Sequence, residues 1–213
     1  MCREPGQESG GVLAKRQTQV LGSSFGLVPR HLDGFLRRTN RKSERGSPTD
    51  AAAELPDLTD CAPPTGRPAV GEQTLPELSL PCLDGSGGVL TLGEAPGVPI
   101  VLNLWATWCT SCRDELPLFS QLYEATDRGQ LLVAGVVTRD GAGLAAEFVV
   151  DLGIEFPSGL DDNGDLYVDQ GLRGLPGTFF VAADGSITHA ELAPITSYEA
   201  LTALVQEHLG VSV

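Results

Sequence analysis

Long apolar runs, methionine and lysine are all scarce in this 213-residue chain. Met1 is the only methionine, and Lys15 and Lys42 are the only lysines. The best apolar run of the N-terminal quarter, VLGSSFGLVP (residues 20–29), is broken by Gly and Ser. A bilayer-spanning helix needs about 20 apolar residues, so this run excludes itself. It is also a poor signal-peptide core. LTDC (residues 58–61) has Asp where a lipoprotein cleavage site needs a small residue. No export or anchoring signal is therefore visible. Basic residues are missing from most of the chain as well. Nine Lys or Arg face four acids before Asp50, whereas five Arg face 24 acids from Asp50 onward. A body with a balance of −19 cannot neutralise phosphates, which excludes nucleic acid as a partner.

The two parts differ in texture too. Residues 1–46 mix Gly, Ser, Arg and Gln without a sustained period and read as a disordered basic segment. Residues 47–74 carry Pro48, Pro56, Pro63, Pro64 and Pro68 and read as a Pro/Ala-rich linker. Residues 75–213 read as one folded domain. Two short apolar stretches around Asp84-Gly85 predict a β-hairpin. VPIVLNLWA (residues 98–106) and QLLVAGVVT (residues 130–138) predict buried strands. Leu116, Phe119, Leu122 and Tyr123 have helical spacing, and Pro117 predicts a kink among them. Leu144, Ala145, Phe148, Val149 and Leu152 form a second helical stripe closed by Gly153. TFFVAADGSITHAEL (residues 178–192) predicts a hairpin turning at Asp184-Gly185. A last helix is expected to start at Thr196, with Glu199 completing a capping box, and to stop at Gly210. The order ββ-β-α-β-α-ββ-α is α/β, with a parallel strand pair extended by an antiparallel hairpin into a mixed central sheet.

Cys109 and Cys112 stand three apart where a strand gives way to a helix. Unpaired N–H groups at a helix start carry partial positive charge and stabilise a thiolate. Cys109 is thus suited to attack a disulfide, and Cys112, one turn inward, to resolve the mixed disulfide. Two other readings compete. A Cys-x-x-Cys is half of a zinc site, but Cys61 and Cys82 form no second such pair, and His31, His189 and His208 are scattered. A permanent structural disulfide is the other. The strand–Cys-x-x-Cys–helix context favours redox chemistry over both.

NLWATWC, CRDELP, GLPGTFFV and ADGSI together extend the pattern well past the cysteines. With them, residues 75–213 resemble the thioredoxin superfamily, and most of all the TlpA-like disulfide reductases, including reductants of cytochrome c maturation. The resemblance implies a thioredoxin-like fold with an N-terminal β-hairpin extension, an extracytoplasmic location, and a cis peptide bond before Pro176. It implies a substrate groove at Trp108, Leu175 and Pro176, where an extended segment pairs with the backbone of Leu175. Trp105 and Trp108 are both expected as core or rim packing, Trp108 lining the groove as well. Most thioredoxins have an Asp six residues before the first cysteine, where this chain has Asn103. Glu115 is the remaining carboxylate, and the TlpA-like group is similar in having one. It is expected to accept the proton of Cys112, the competing reading being a solvated surface acid. Thr110-Ser111 departs from the family's usual Pro before the second cysteine, and the resemblance does not set the redox potential.

Cys61 and Cys82 are candidates for a second disulfide that pins the linker to the domain; two independent thiols are the alternative. Cys2 is incidental. DDNGD (residues 161–165) lacks the Gly and Glu positions of a calcium loop and reads as a polar turn. His189 and His208 read as partly exposed fold residues. The leading function is a thiol:disulfide oxidoreductase, a reductase by resemblance, that needs no cofactor and no metal. Its partners are protein disulfides or dithiols and a redox partner that supplies or accepts electrons, with the chain itself monomeric. A disulfide-forming oxidase and a copper-binding chaperone on the same fold are the alternatives. A peroxidase would use Thr and Pro upstream of one cysteine, and the helix-start Cys-x-x-Cys argues against it.

Overall fold

In the computed structural model the described residues are 61 and 65–213. The basic segment 1–46, residues 47–60 of the linker, Cys2 and His31 lie outside them.

Five strands build the central sheet because their side chains leave few places for water. These are β3 (Ile100–Trp105), β4 (Leu132–Thr138), β5 (Ser158–Asp161), β6 (Gly177–Val181) and β7 (Ile187–Glu191). Every residue of β3 and β6 is buried, as a central strand covered on both faces requires. The spatial order is β5-β4-β3-β6-β7. β3, β4 and β5 run parallel, and β6 and β7 are antiparallel additions. A separate hairpin, β1 (Leu78–Pro81) with β2 (Val89–Leu92), precedes the sheet. The fold is thioredoxin-like with an N-terminal hairpin.

Alternation along β3 divides the core in two. Val101 and Trp105 join α1 (Thr110–Ala125), α2 (Ala142–Leu152) and α4 (Tyr198–Leu209) through Leu116, Phe119, Phe148, Leu201 and Val205. Ile100, Leu102 and Leu104 face the hairpin's Leu80, Leu90 and Leu92. Trp105 fits because Gly135 lies beneath it: a Cβ there would stand 2.7 Å from the indole nitrogen.

Several expectations need correcting. The parallel set has three strands, because SGLD forms β5, too short and too polar to show a period. DDNGD is more than a turn. Asp161 is buried, and its carboxylate accepts from the backbone N–H of Asp165 and Leu166, starting a short helix, α3 (Asp165–Asp169). The last helix begins one residue later than its spacing predicts: Ser197, not Thr196, caps it by accepting from Ala200 N–H. Pro117 does lie inside α1, as expected. Part of the stretch expected as linker is attached to the domain. Ala95 N–H donates to the Arg67 carbonyl at 2.8 Å, Val70 N–H to that of Asp184 at 2.9 Å, and Glu94 accepts from Thr65 and Gly66 N–H. Among the described residues no helix is long and apolar enough to cross a membrane.

Cys61 and Cys82 are bonded, with Cα atoms 6.3 Å apart, and both are buried beside Leu80 and Leu90. The bond spans a sequence separation of 21. Closing a loop of that length restricts the unfolded chain by about 3 kcal/mol. The double variant Cys61→Ser/Cys82→Ser is therefore expected to lose about 3 kcal/mol of stability in denaturant titration. An unchanged midpoint would contradict a stabilising role.

Candidate active site

β3 ends at Trp105, the chain turns, and Cys109 caps α1. Its backbone is extended (φ −89, ψ 106), and its Sγ accepts from the N–H of Cys112 at 3.2 Å. The turn is held by Cys109 N–H donating to the Ala106 carbonyl at 3.1 Å. Asp140 anchors it from the β4–α2 loop, accepting from Thr107 N–H at 2.6 Å. Cys109 and Cys112 form a disulfide across the first turn, with Cα atoms 5.3 Å apart. Cys109 keeps 6% of its surface exposed and Cys112 none, so only the first sulfur lies at the rim.

Trp108 projects beside it, 59% exposed, its indole N–H donating to the Arg139 carbonyl at 3.3 Å. Arg139 is the one non-glycine with positive φ among the described residues. Trp105 is fully buried. The Leu175–Pro176 bond is cis. Gly177, next in sequence, pairs with Leu104 near the end of β3, which brings this loop to the end of the sheet that carries Cys109. Leu175 packs against the cluster that contains both cysteines.

Glu115 is not a solvated surface acid. It lies one turn beyond Cys112 in α1 and is 1% exposed. Its Oε1 accepts from Ile195 N–H at 3.4 Å, and Oε2 makes no hydrogen bond. Burial pushes its pKa up to about 7, with a smaller push from the negative charge of Glu191; the Ile195 N–H and the Thr178 hydroxyl oppose this. Asn103 is buried on the same side of the sheet, its Nδ2 donating to Thr178 Oγ1 at 3.0 Å. Two residues that build the surroundings of the site, Thr178 and Asp140, escape the sequence reading. Thr178 is detectable as a polar residue in step with Phe180 in a buried strand. Nothing in the sequence marks Asp140. Among the described residues no group of three or more His, Cys, Asp or Glu is placed to hold a metal ion. His189 and His208 are partly exposed and stack on each other at 4.0 Å.

Residues 71–190 match the AhpC/TSA family, more than half of the chain. The chain belongs to the AhpC/TSA family. Within that family it is similar to the thiol:disulfide interchange protein CycY of Rhizobium leguminosarum bv. viciae, with 31% identity over 74% of this chain and 80% of that one. The thiol:disulfide interchange protein DsbE of Pseudomonas fluorescens biotype C is 33% identical over 53% of this chain and 61% of its own. Among solved structures, a secreted Mycobacterium tuberculosis disulfide oxidoreductase homologous to E. coli DsbE superposes with a TM-score of 0.54. It is 26% identical and is matched over 62% of this chain and 96% of its own.

The buried acid makes stability depend on pH. An unfolded Glu releases its proton near 4.5, whereas Glu115 in the fold keeps it to about 7. Between these values the native state binds more protons, so stability falls as pH rises through that window and levels off above it. The loss is about 3 kcal/mol. Glu115→Gln is expected to abolish this slope in the oxidised protein and to make it more stable than the wild type at pH 8, on the order of 3 kcal/mol. Parallel stability–pH curves for the two proteins would contradict the assignment.

Proposed function

We propose that this AhpC/TSA-family protein is a thiol:disulfide oxidoreductase that reduces disulfides in protein substrates. The observation that carries this is the asymmetry of the pair: Cys109 at the rim on a helix N-terminus, Cys112 sealed, and a buried Glu115 with a raised pKa one turn deeper.

In the reduced enzyme, Cys109 is the nucleophile. Its thiolate is stabilised by the first-turn N–H groups, of which that of Cys112 already points at the sulfur. It attacks one sulfur of a substrate disulfide; a Cys109–substrate bond forms, and the other substrate sulfur leaves as a thiolate and takes up a proton. Cys112 then gives its proton to Glu115 and attacks the sulfur of Cys109. The Cys109–Cys112 bond forms as the Cys109–substrate bond breaks. The second substrate sulfur leaves as a thiolate that takes up a proton, while Glu115 gives up the one it received. Two electrons and two protons pass to the substrate. A partner dithiol must return the electrons for another cycle. The exposed Trp108 and the backbone of Leu175, before cis-Pro176, form the groove for an extended substrate segment.

The reading places the protein outside the cytoplasm. The secreted structural relative supports that location, and so does the second, buried Cys61–Cys82 bond, since such bonds persist where the surroundings oxidise. It also favours the TlpA-like branch, whose buried Glu this chain shares by position.

The reduction potential of Cys109–Cys112 tests the direction, measured by equilibration with glutathione in Cys2→Ser/Cys61→Ser/Cys82→Ser. A reductase is expected near the thioredoxin value of about −270 mV. A value of about −120 mV would overturn the reductase reading in favour of a disulfide-forming oxidase.

A further inference from the structure

Asn103 and Thr178 face each other across the β3–β6 ladder. By alternation both lie on the side of the sheet that carries Val101, Trp105 and Phe180, the side packed against α1. Asn103, Thr178 and Glu115 are all sealed from solvent, at 0%, 1% and 1% exposure. Three polar side chains buried on the α1 side of the sheet need a reason, because each costs free energy to bury.

Their hydrogen-bond accounting supplies one. Asn103 donates to Thr178 Oγ1, which occupies a lone pair of the hydroxyl. A hydroxyl has a single hydrogen, and that hydrogen is left free for another acceptor. Glu115 Oε2 is a buried acceptor without a partner, as is Asn103 Oδ1, while Glu115 Oε1 already receives the Ile195 N–H. The Thr178 hydroxyl stands near enough to this carboxyl to favour its ionised form, although it forms no hydrogen bond to Oε2 in this structure. We propose that Thr178, oriented by Asn103, is a positioning residue that holds the Glu115 carboxylate ready to take the proton of Cys112. The proposal rests on the reading of Glu115 as proton acceptor.

The hydroxyl serves both states of the acid. It donates to the carboxylate before proton transfer, and it accepts from the carboxylic acid afterwards through its second lone pair. Asn103 suits the post because it supplies an N–H without a charge. An Asp there would set a second anion across Thr178 from Glu115 and hold the acid protonated. The other groups around Glu115 are accounted for. Cys112 lies on its own helix. Glu191 faces it from β7, with His189 Nε2 at 3.8 Å from Glu191, and His208 of α4 stacks on His189.

The test compares rates of insulin-disulfide reduction by the prereduced full-length chain between about pH 5 and about pH 9. Wild type should show an inflection near the Glu115 value of about 7, and Glu115→Gln should lack it. Thr178→Val, which keeps the shape and deletes the hydroxyl, should move that inflection up by about one pH unit. Its rate at pH 7 should fall about fivefold, while Thr178→Ser should restore the wild-type profile. Asn103→Ala leaves the hydroxyl unoriented and should shift the inflection the same way by a smaller amount. A folded Thr178→Val with the wild-type profile overturns the proposal. Should Thr178→Val fail to fold, an unshifted Asn103→Ala overturns it instead. An inflection that persists in Glu115→Gln shows that the proton-acceptor reading itself is wrong, and the positioning role falls with it.

Discussion

One hydrogen bond organises the active end of this molecule: the N–H of Cys112 donates to the sulfur of Cys109 at 3.2 Å. It makes a cysteine the cap of α1, a place more often given to Ser, Thr, Asp or Asn. A cap must stand outside the helix while its side chain turns back toward it. That geometry puts one sulfur at the rim and the other inside the first turn. Everything around the cap serves to hold it. β3 ends in the buried Trp105, the Ala106 carbonyl closes the turn, and Asp140 pins Thr107 from the neighbouring loop. The α1 stripe of Leu116, Phe119 and Leu122 locks the helix against the sheet, so the cap cannot drift.

The same burial that fixes α1 creates the second feature, an acid in a dry place. Glu115 is three residues after Cys112 and shares its face of the helix. The packing that seals the resolving thiol also desolvates the carboxyl and raises its affinity for protons. Stability is given up to keep a carboxyl that titrates near neutral pH, in the way that strained or charged sites commonly trade stability for chemistry. The neutral Asn103 keeps that cost to one charge. A helix cap, a sealed thiol and a buried acid are therefore consequences of a single packing arrangement.

Much of this is legible in the amino-acid sequence. β3, β4, α1 and α2 carry strong apolar patterns, Cys109 and Cys112 follow from spacing on a helix whose start is marked by the strand preceding it, and Glu115 follows from the family resemblance. Other elements carry no such mark. β5 is four residues with a central Gly and a terminal Asp, and it exists because β4 offers a free edge. α3 depends on the Asp161 carboxylate, which sequence alone reads as turn chemistry. Thr196 and Ser197 are adjacent caps of similar quality, and the local backbone chooses between them. Residues 65–74 join the domain through backbone hydrogen bonds and the Glu94 carboxylate, to which hydropathy is blind. Thr178 is an ordinary strand residue by composition. Its hydrogen-bond partner Asn103, 75 positions earlier, and its nearness to Glu115 on another element become visible only in three dimensions.

The division of labour between the two sulfurs is the central claim, and trapping the mixed disulfide tests it most directly. Full-length Cys112→Ser, prereduced and mixed with oxidised insulin, should accumulate a covalent complex that dithiothreitol releases and that peptide mapping assigns to Cys109. Cys109→Ser should accumulate none. A stable complex through Cys112 in Cys109→Ser, or no complex in either variant, would contradict the account.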